Sequence, residues 1–434
     1  MKIRSILLGA TVALSTALAV IPAGAQQPAA ADSAATGKPR VFIDCDECDD
    51  DFLRNEIAWI DHVRDRAVAD VHVLVTTART GSGGRQYTAH FIGLREYAGK
   101  QDTLSYSARV AESSDETRRG IAGILKLGLV RFAAQSAVAQ TLTITARTGG
   151  PAAAARPARD PWNLWVFRTS ARGFFNGEKT TKFANMSSSV SANRISNAWK
   201  TNFGVNLNYS ESKFTFTDGR KFNNYSRGYG ANSLIVKSLG PHWSAGQRSS
   251  ISSSTFLNQE LAARLAPAIE YNFFPYSEST RRQFTVQYSA GLNHFRYEDT
   301  TIYNEIQETR GDQALIASFD VKQPWGSVNT SFEAAAYLHD FSKNRLVFFT
   351  NLDWRLIKGL SVSLSGNASL IRDQLHIAGG QLTDEEVLLR RRQLATSYRY
   401  FASIGLNYSF GSIYSNIVNS RFGGSSGGGT VFFF

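Results

Sequence analysis

From about residue 163 to residue 410 the sequence alternates apolar with small polar residues at a period of two, segment after segment. In RRQFTVQYSAGLNHF (281–295), Phe284, Val286, Tyr288, Ala290 and Leu292 share one face, while Thr285, Gln287, Ser289, Gly291 and Asn293 share the other. In KTNFGVNLNYS (200–210), Phe203, Val205, Leu207 and Tyr209 alternate in the same way with Gly204, Asn206, Asn208 and Ser210. This is the signature of a β-strand, because successive side chains point to opposite faces. A soluble sandwich packs its apolar face and carries more charge on the other. Here the second face is small and polar, which suits a wet lumen. A membrane-crossing strand needs about 9 to 11 residues, and these segments are long enough.

Twelve such segments are expected, at roughly 164–176, 181–194, 199–215, 220–237, 242–256, 260–273, 280–299, 306–323, 327–339, 344–356, 360–374 and 393–410. The expected fold is therefore an all-β transmembrane antiparallel barrel over 163–410, preceded by an α+β periplasmic domain. ISNA (195–198), SLGP (238–241), FPYSE (274–278), QPWG (323–326) and IKG (357–359) form the compact turns. TDGRK, EDTTIYNE, HDFSKN and the stretch 376–392 form the longer outer loops. An even strand number returns the carboxyl end to the periplasmic side, where the amino-terminal domain lies. Trp162, Trp165, Trp199, Tyr271, Phe273, Phe274, Tyr276, Trp325 and Trp354 gather near segment ends, as an interfacial girdle does. VSANRISNAWKTNFGVNLNYSESKF and EYNFFPYSESTRRQFTVQYSAGLNHFRYED resemble the salt-induced outer-membrane protein family, a resemblance of pattern that implies a barrel and names no activity. GLNYSF (405–410) resembles the aromatic-ending last strand that the barrel-assembly machinery recognises, with Tyr408 and Phe410 at the matching positions. Residues 411–434 follow as a periplasmic extension ending in Phe434, which is the alternative signal.

At the amino terminus, Lys2 and Arg4 precede an uncharged apolar run from Ile6 to Val20, and Ala23-Gly24-Ala25 precedes Gln26. This pattern predicts a secretory signal peptide over 1–25, cleaved between Ala25 and Gln26. Its removal takes the formal charge from +11 to +9 on an exported chain. The excess Lys and Arg are then expected at a membrane rim or on loops, and nucleic acid is not an expected partner. Charged residues at 19% and apolar residues at 43% exclude general disorder and a coiled coil.

Residues 26–39 and 148–162 have linker composition, and they bracket a domain at 40–147. VFID (41–44) predicts a strand, and DFLRNEIAWIDHVRD (51–65) a helix with Phe52, Ile57, Ile60 and Val63 near one face. Strands at 71–77, 87–94 and 102–110 form two hairpins around the GSGG turn at 81–84. Ser113 or Ser114 caps a second helix whose apolar side runs from Ile121 to Phe132, and LTITA (142–146) is a further strand candidate. The runs 68–94 and 113–125 resemble, in element order, the small periplasmic domain at the amino terminus of TolB and in the curli-assembly lipoprotein. That resemblance implies binding to another envelope protein or the cell wall.

Cys45-Asp46-Glu47-Cys48 has thioredoxin-like spacing, but Asp44, Asp46, Glu47, Asp49, Asp50 and Asp51 surround it, and negative neighbours disfavour the thiolate. A structural disulfide or inert thiols is the favoured reading, with metal capture by the acids and redox catalysis as alternatives. For an outer-membrane hydrolase, His294 with Glu298 and Asp299, His339-Asp340, Ser289 and the serines of 248–254 are the candidates, but alternation points His294 outward with Leu292. No catalytic residue, cofactor or metal site is therefore assigned. The expected protein is a non-enzymatic outer-membrane barrel, structural or a small-solute channel biased toward anions if arginines line it. Its partners are outer-membrane lipid, the assembly machinery and a periplasmic envelope component; a secreted soluble binding protein is the further alternative. A barrel this narrow leaves two alternatives, an open lumen or one plugged by the carboxyl-terminal tail or the 376–392 loop, and the sequence does not choose between them.

Overall fold

The computed structural model describes residues 37–81, 83–143, 160–216, 218–380 and 396–418. The signal peptide with Ala25 and Gln26, and Phe434, lie outside the described residues.

The amino-terminal domain has a five-stranded sheet in the order β2-β1-β3-β4-β5. It consists of β1 (Arg40–Asp44), β2 (Asp61–His62), β3 (Val71–Arg79), β4 (Arg85–Gly93) and β5 (Gln101–Ala108). β1 runs parallel to β2 and β3, and the other pairs are antiparallel. Asp49 starts the helix α1 (Asp50–Glu56), its carboxylate accepting the Phe52 N–H at 3.0 Å. The helix expected over 51–65 stops at Glu56. Beyond it, the open edge of β1 supplies backbone partners that a longer helix would forgo: Asp61 N–H reaches Pro39 O at 3.0 Å and Val63 N–H reaches Val41 O at 3.0 Å. Ile57 and Ile60 still enter the core, so their helical spacing is equally served by an irregular strap.

The second helix, α2 (Ser114–Ala133), begins with a capping box in which Ser113 and Glu116 satisfy each other's backbone N–H groups. Its buried face, Ile121, Leu125, Leu129 and Phe132, packs with Val41, Val71, Val73 and Phe91 in one core. Gly128 sits against the Phe91 ring, where a Cβ would come within 2.1 Å, so close packing of helix on sheet requires glycine there. Leu142 and Thr143 form no strand, and the rest of LTITA lies outside the described residues.

The second sheet has twelve strands in sequence order, all antiparallel. They are β6 (Trp165–Gly177), β7 (Thr181–Ile195), β8 (Trp199–Thr215), β9 (Lys221–Ser238), β10 (Trp243–Ser254), β11 (Gln259–Asn272), β12 (Arg282–Tyr297), β13 (Gln307–Gln323), β14 (Gly326–Tyr337), β15 (Asp340–Ile357), β16 (Leu360–Ile371) and β17 (Tyr398–Tyr408). β6 and β17 each pair on one side only. Two connections differ from expectation. FPYSE, expected as a compact turn, lies in the nine-residue connection 273–281, where the Tyr276 N–H donates to Pro241 O at 3.0 Å and the chain makes a 3-10 turn over Tyr276–Glu278. Tyr337 pairs with Asp340, so β14 and β15 meet in a tight turn and most of the polar stretch HDFSKN belongs to β15.

Register places Val190, Val205, Ala231, Ile251 and Ala263 in one row across β7 to β11. This apolar face is open: Ile251 is 57% exposed, Leu265 54% and Leu292 60%. On the opposite face Ala266, Ser289 and Asn293 are buried. Aromatic rings link the apolar face at one rim. Trp243 meets Tyr271 at 4.7 Å, Tyr271 meets Phe273 at 5.1 Å, Phe273 stacks on Phe284 at 4.6 Å, and Phe284 meets Phe319 at 6.0 Å.

Candidate functional site

Alternation makes the polar face mostly Ser, Asn, Ala and Gly, and against that background a few charged residues stand out. The polar face of β10 to β15 lines a cavity of about 360 Å³ whose floor is small, with Ala266, Ser289, Ala314 and Ala335. Arg264 on β11 reaches over β12 to pair with Asp312 on β13 at 2.9 Å. It passes above Gly291, where a Cβ would stand 2.0 Å from Asp312 Oδ1, so the crossing depends on a residue without a side chain. Arg345 on β15 pairs with Glu333 at 2.6 Å and with Asp373 at 2.8 Å. Arg248 lines the same cavity with no carboxylate partner among the described residues. Register puts Arg172 opposite Ser187, and Arg399 opposite Ser369, on the same polar face.

One end of the cavity is crossed by the chain that follows β16. Leu375 and Ile377 are buried there, Ile302 N–H donates to Ile377 O at 2.9 Å, and Gly379 N–H donates to Thr300 O at 2.8 Å. Asn258, in the β10–β11 turn, donates to Asp299 O at 2.8 Å and to His376 O at 3.2 Å. Residues 376–380 of the expected loop therefore lie across strand ends, and 381–392 lie outside the described residues. At the other end the turn after β11 folds inward, with Tyr276 OH donating to Glu270 at 2.7 Å.

The amino-terminal domain meets this same end. Arg355 on β15 donates to both carboxylate oxygens of Asp44, the second at 2.6 Å, and lies over the Phe42 ring. Gly359 N–H donates to Asp65 at 2.6 Å, and Arg168 on β6 reaches Gly83 O at 3.4 Å. After β17 the chain runs beside β2: Arg64 N–H donates to Ile413 O at 3.1 Å, and Ser415 N–H to His62 O at 2.9 Å. That part of the 411–434 extension thus packs on the domain and not in the cavity; residues 419–434 lie outside the described residues.

Burial alone would raise the Asp44 carboxyl, but hydrogen bonds from Arg355 and His72 outweigh it and hold it at about 2. Burial pushes the fully enclosed His72 imidazole below its ordinary value, against the opposing pull of Asp44 and with Arg66 and Arg355 acting in the same direction as burial. Both shifts have the same sign for stability. A neutral buried His72 costs stability once the unfolded chain takes up a proton below about pH 6.5, and ionised Asp44 loses its contribution as pH falls from about 4 toward 2. Protease resistance of the domain is therefore expected to be flat above about pH 7 and to fall in two stages on acidification. Limited proteolysis at stepped pH measures this, and a profile flat down to pH 3 would contradict it.

The structure joins Cys45 and Cys48 in a disulfide with a Cα separation of 5.5 Å. Three of the six acids around it are taken up by arginines from elsewhere, Asp49 by Arg118 at 3.0 Å, Glu47 by Arg85, and Asp44 by Arg355, while Asp50 and Asp51 share Arg54 of their own helix. His294 and Ser289 are not brought together. His294 is on the apolar face, bonded to Thr309 at 2.8 Å, and Ser289 is buried on the other. His339 rests against Tyr337, and Asp340 accepts the Ser342 N–H at 2.9 Å. Tyr408 pairs with Leu360 and stacks on Phe410, which is exposed. Sequence reasoning missed Arg264, Asp312, Glu333, Arg345 and Asp373. Arg264, Asp312, Glu333 and Arg345 could have been found as charges at polar-face positions of β11, β13, β14 and β15, whereas Asp373 lies beyond β16, where alternation gives no signal.

No family model and no curated protein matches the sequence.

Proposed function

We propose that β6 closes on β17 to make a twelve-stranded outer-membrane barrel that passes small solutes, anions before cations, with the amino-terminal domain and the tail in the periplasm. The observation that carries this is the inversion of the large sheet, exposed where it is apolar and buried where it is polar. Water does not tolerate such an apolar face, and lipid does. Trp199 and Tyr209 lie on that face of β8 ten residues apart. At about 3.3 Å per residue and the roughly 40° tilt usual in barrels they are separated by about 25 Å, the height of a membrane band. The even strand number makes β6 and β17 antiparallel when they meet. Among the inward charges, Asp312 neutralises Arg264, two carboxylates, Glu333 and Asp373, flank Arg345, and Glu270 adds a further negative charge; Arg172, Arg248 and Arg399 leave these residues with a net positive charge. The likeness to salt-induced outer-membrane proteins and the aromatic end of β17, with Tyr408 and Phe410, fit insertion by the barrel-assembly machinery.

The test has two steps. The protein is expected to stay in the outer membrane after carbonate washing and to migrate differently on unheated gels. In planar bilayers under a salt gradient the reversal potential is expected to lie on the anion side and to move toward cations in Arg248→Glu. Release by carbonate overturns the barrel, and cation preference in the parent protein overturns the solute assignment.

A further inference from the structure

Building on that barrel reading, we infer that the amino-terminal domain is a releasable lid over the inner end of the lumen, latched by Asp44 on Arg355 and tethered by the chain at 412–416. Its points of attachment are spread across the large sheet and not gathered at one edge. Gly83 meets Arg168 on β6, Gly81 meets Ile195 at the end of β7, His90 faces Arg281 just before β12, Asp44 meets Arg355 on β15, and Asp65 meets the turn before β16. One face of the small sheet is committed to α2. On the same strands His72, Leu74 and Thr76 alternate with the core residues Val71, Val73 and Val75 and are nonetheless buried. With Asp44 beside His72 at 3.2 Å, that second face is the one turned to Arg355.

The seam is polar and incompletely satisfied. His72 Nδ1, Thr76 Oγ1, His90 Nε2 and Arg281 Nε are all buried without a hydrogen-bond partner. A permanent interface satisfies such groups or replaces them with apolar ones, and polar domain contacts of this kind are the ones that open. When the domain leaves, these atoms reach water, which offsets the loss of the Asp44–Arg355 pair. The strap makes departure local. Arg64, His62 and Ser415 hold the tail to β2 through main-chain bonds, so the domain swings with its tether and is not lost.

The test uses the full chain in lipid vesicles, with Ser289→Cys as a reporter inside the cavity and a membrane-impermeant maleimide as the probe. The native cysteines are already joined to each other and do not react. A second variant adds Gly81→Cys and Ile195→Cys, positions where a Cβ on residue 81 would lie 2.8 Å from that of Ile195, so that a separation of about 1 Å brings the pair into disulfide range and oxidation closes the lid covalently. Locking is expected to slow labelling of residue 289 about tenfold relative to the unlocked parent, and Arg355→Ala to speed it several-fold. Equal labelling rates in locked, parent and Arg355→Ala proteins overturn the lid. The gel shift of unheated samples is read on the same proteins. Its absence in the parent marks failure of the barrel, whereas its presence with equal labelling rates marks failure of the lid alone.

Discussion

Replacing Val205 by Arg is expected to destabilise the large sheet by about 2–4 kcal/mol in lipid, the cost of a cation at mid-depth on the outside of a barrel. Val205 is 49% exposed, and on the surface of a soluble protein such a change falls within about ±0.5 kcal/mol. The size of the effect therefore separates the two solvents. Its neighbour Asn206 points to the polar face, and Asn206→Arg is expected to change stability little. Urea midpoints of protein refolded into vesicles measure both substitutions. Equal small effects at 205 and 206 would mean that the apolar face is not in lipid.

Replacing Phe132 by Ala is expected to cost the amino-terminal domain about 3–5 kcal/mol. Phe132 is fully buried, meets Tyr97 edge to face at 5.6 Å, and closes the last turn of α2 onto the sheet. A domain of this size has about 5–15 kcal/mol in total, so the variant loses a large part of its margin. The large sheet shares none of this core. Trypsin is therefore expected to remove the domain from Phe132→Ala at temperatures where the parent resists, while the gel shift of the remaining barrel persists. Simultaneous loss of both would show that the two parts fold as one cooperative unit.

Much of the fold was legible because it is written locally. Alternation in 281–295 and 200–210 identifies both faces of β12 and β8 without knowledge of any neighbour, since strand geometry alone sends residues i and i+2 to one side. Ser113 with Glu116, four positions of sequence, suffices to start α2. The helix after Asp49 was misjudged for the opposite reason. Ile57, Ile60 and Val63 have helical spacing, and only the unpaired edge of β1 decides that the chain extends at Asp61. The turn at Leu338 was similar: polar residues look like a loop until Tyr337 finds Asp340 across the hairpin.

The candidate site was less legible than the fold. Arg264 and Asp312 are separated by a whole strand, and their meeting requires the register of β11, β12 and β13 together with the missing side chain at Gly291. Asp44 read as one of six acids beside the cysteines, yet its partner is Arg355, far along the chain. The sequence by itself determined which residues lie on the apolar and the small polar sides of the alternating strands and that twelve such strands follow one another. Only the tertiary structure decided which lone charges neutralise one another, which are left unpaired, and that the small domain sits across the strand ends. The physical reason is range: the pleat and the cap act between residues a few positions apart, whereas ion pairing and docking depend on distances in space that register and packing create.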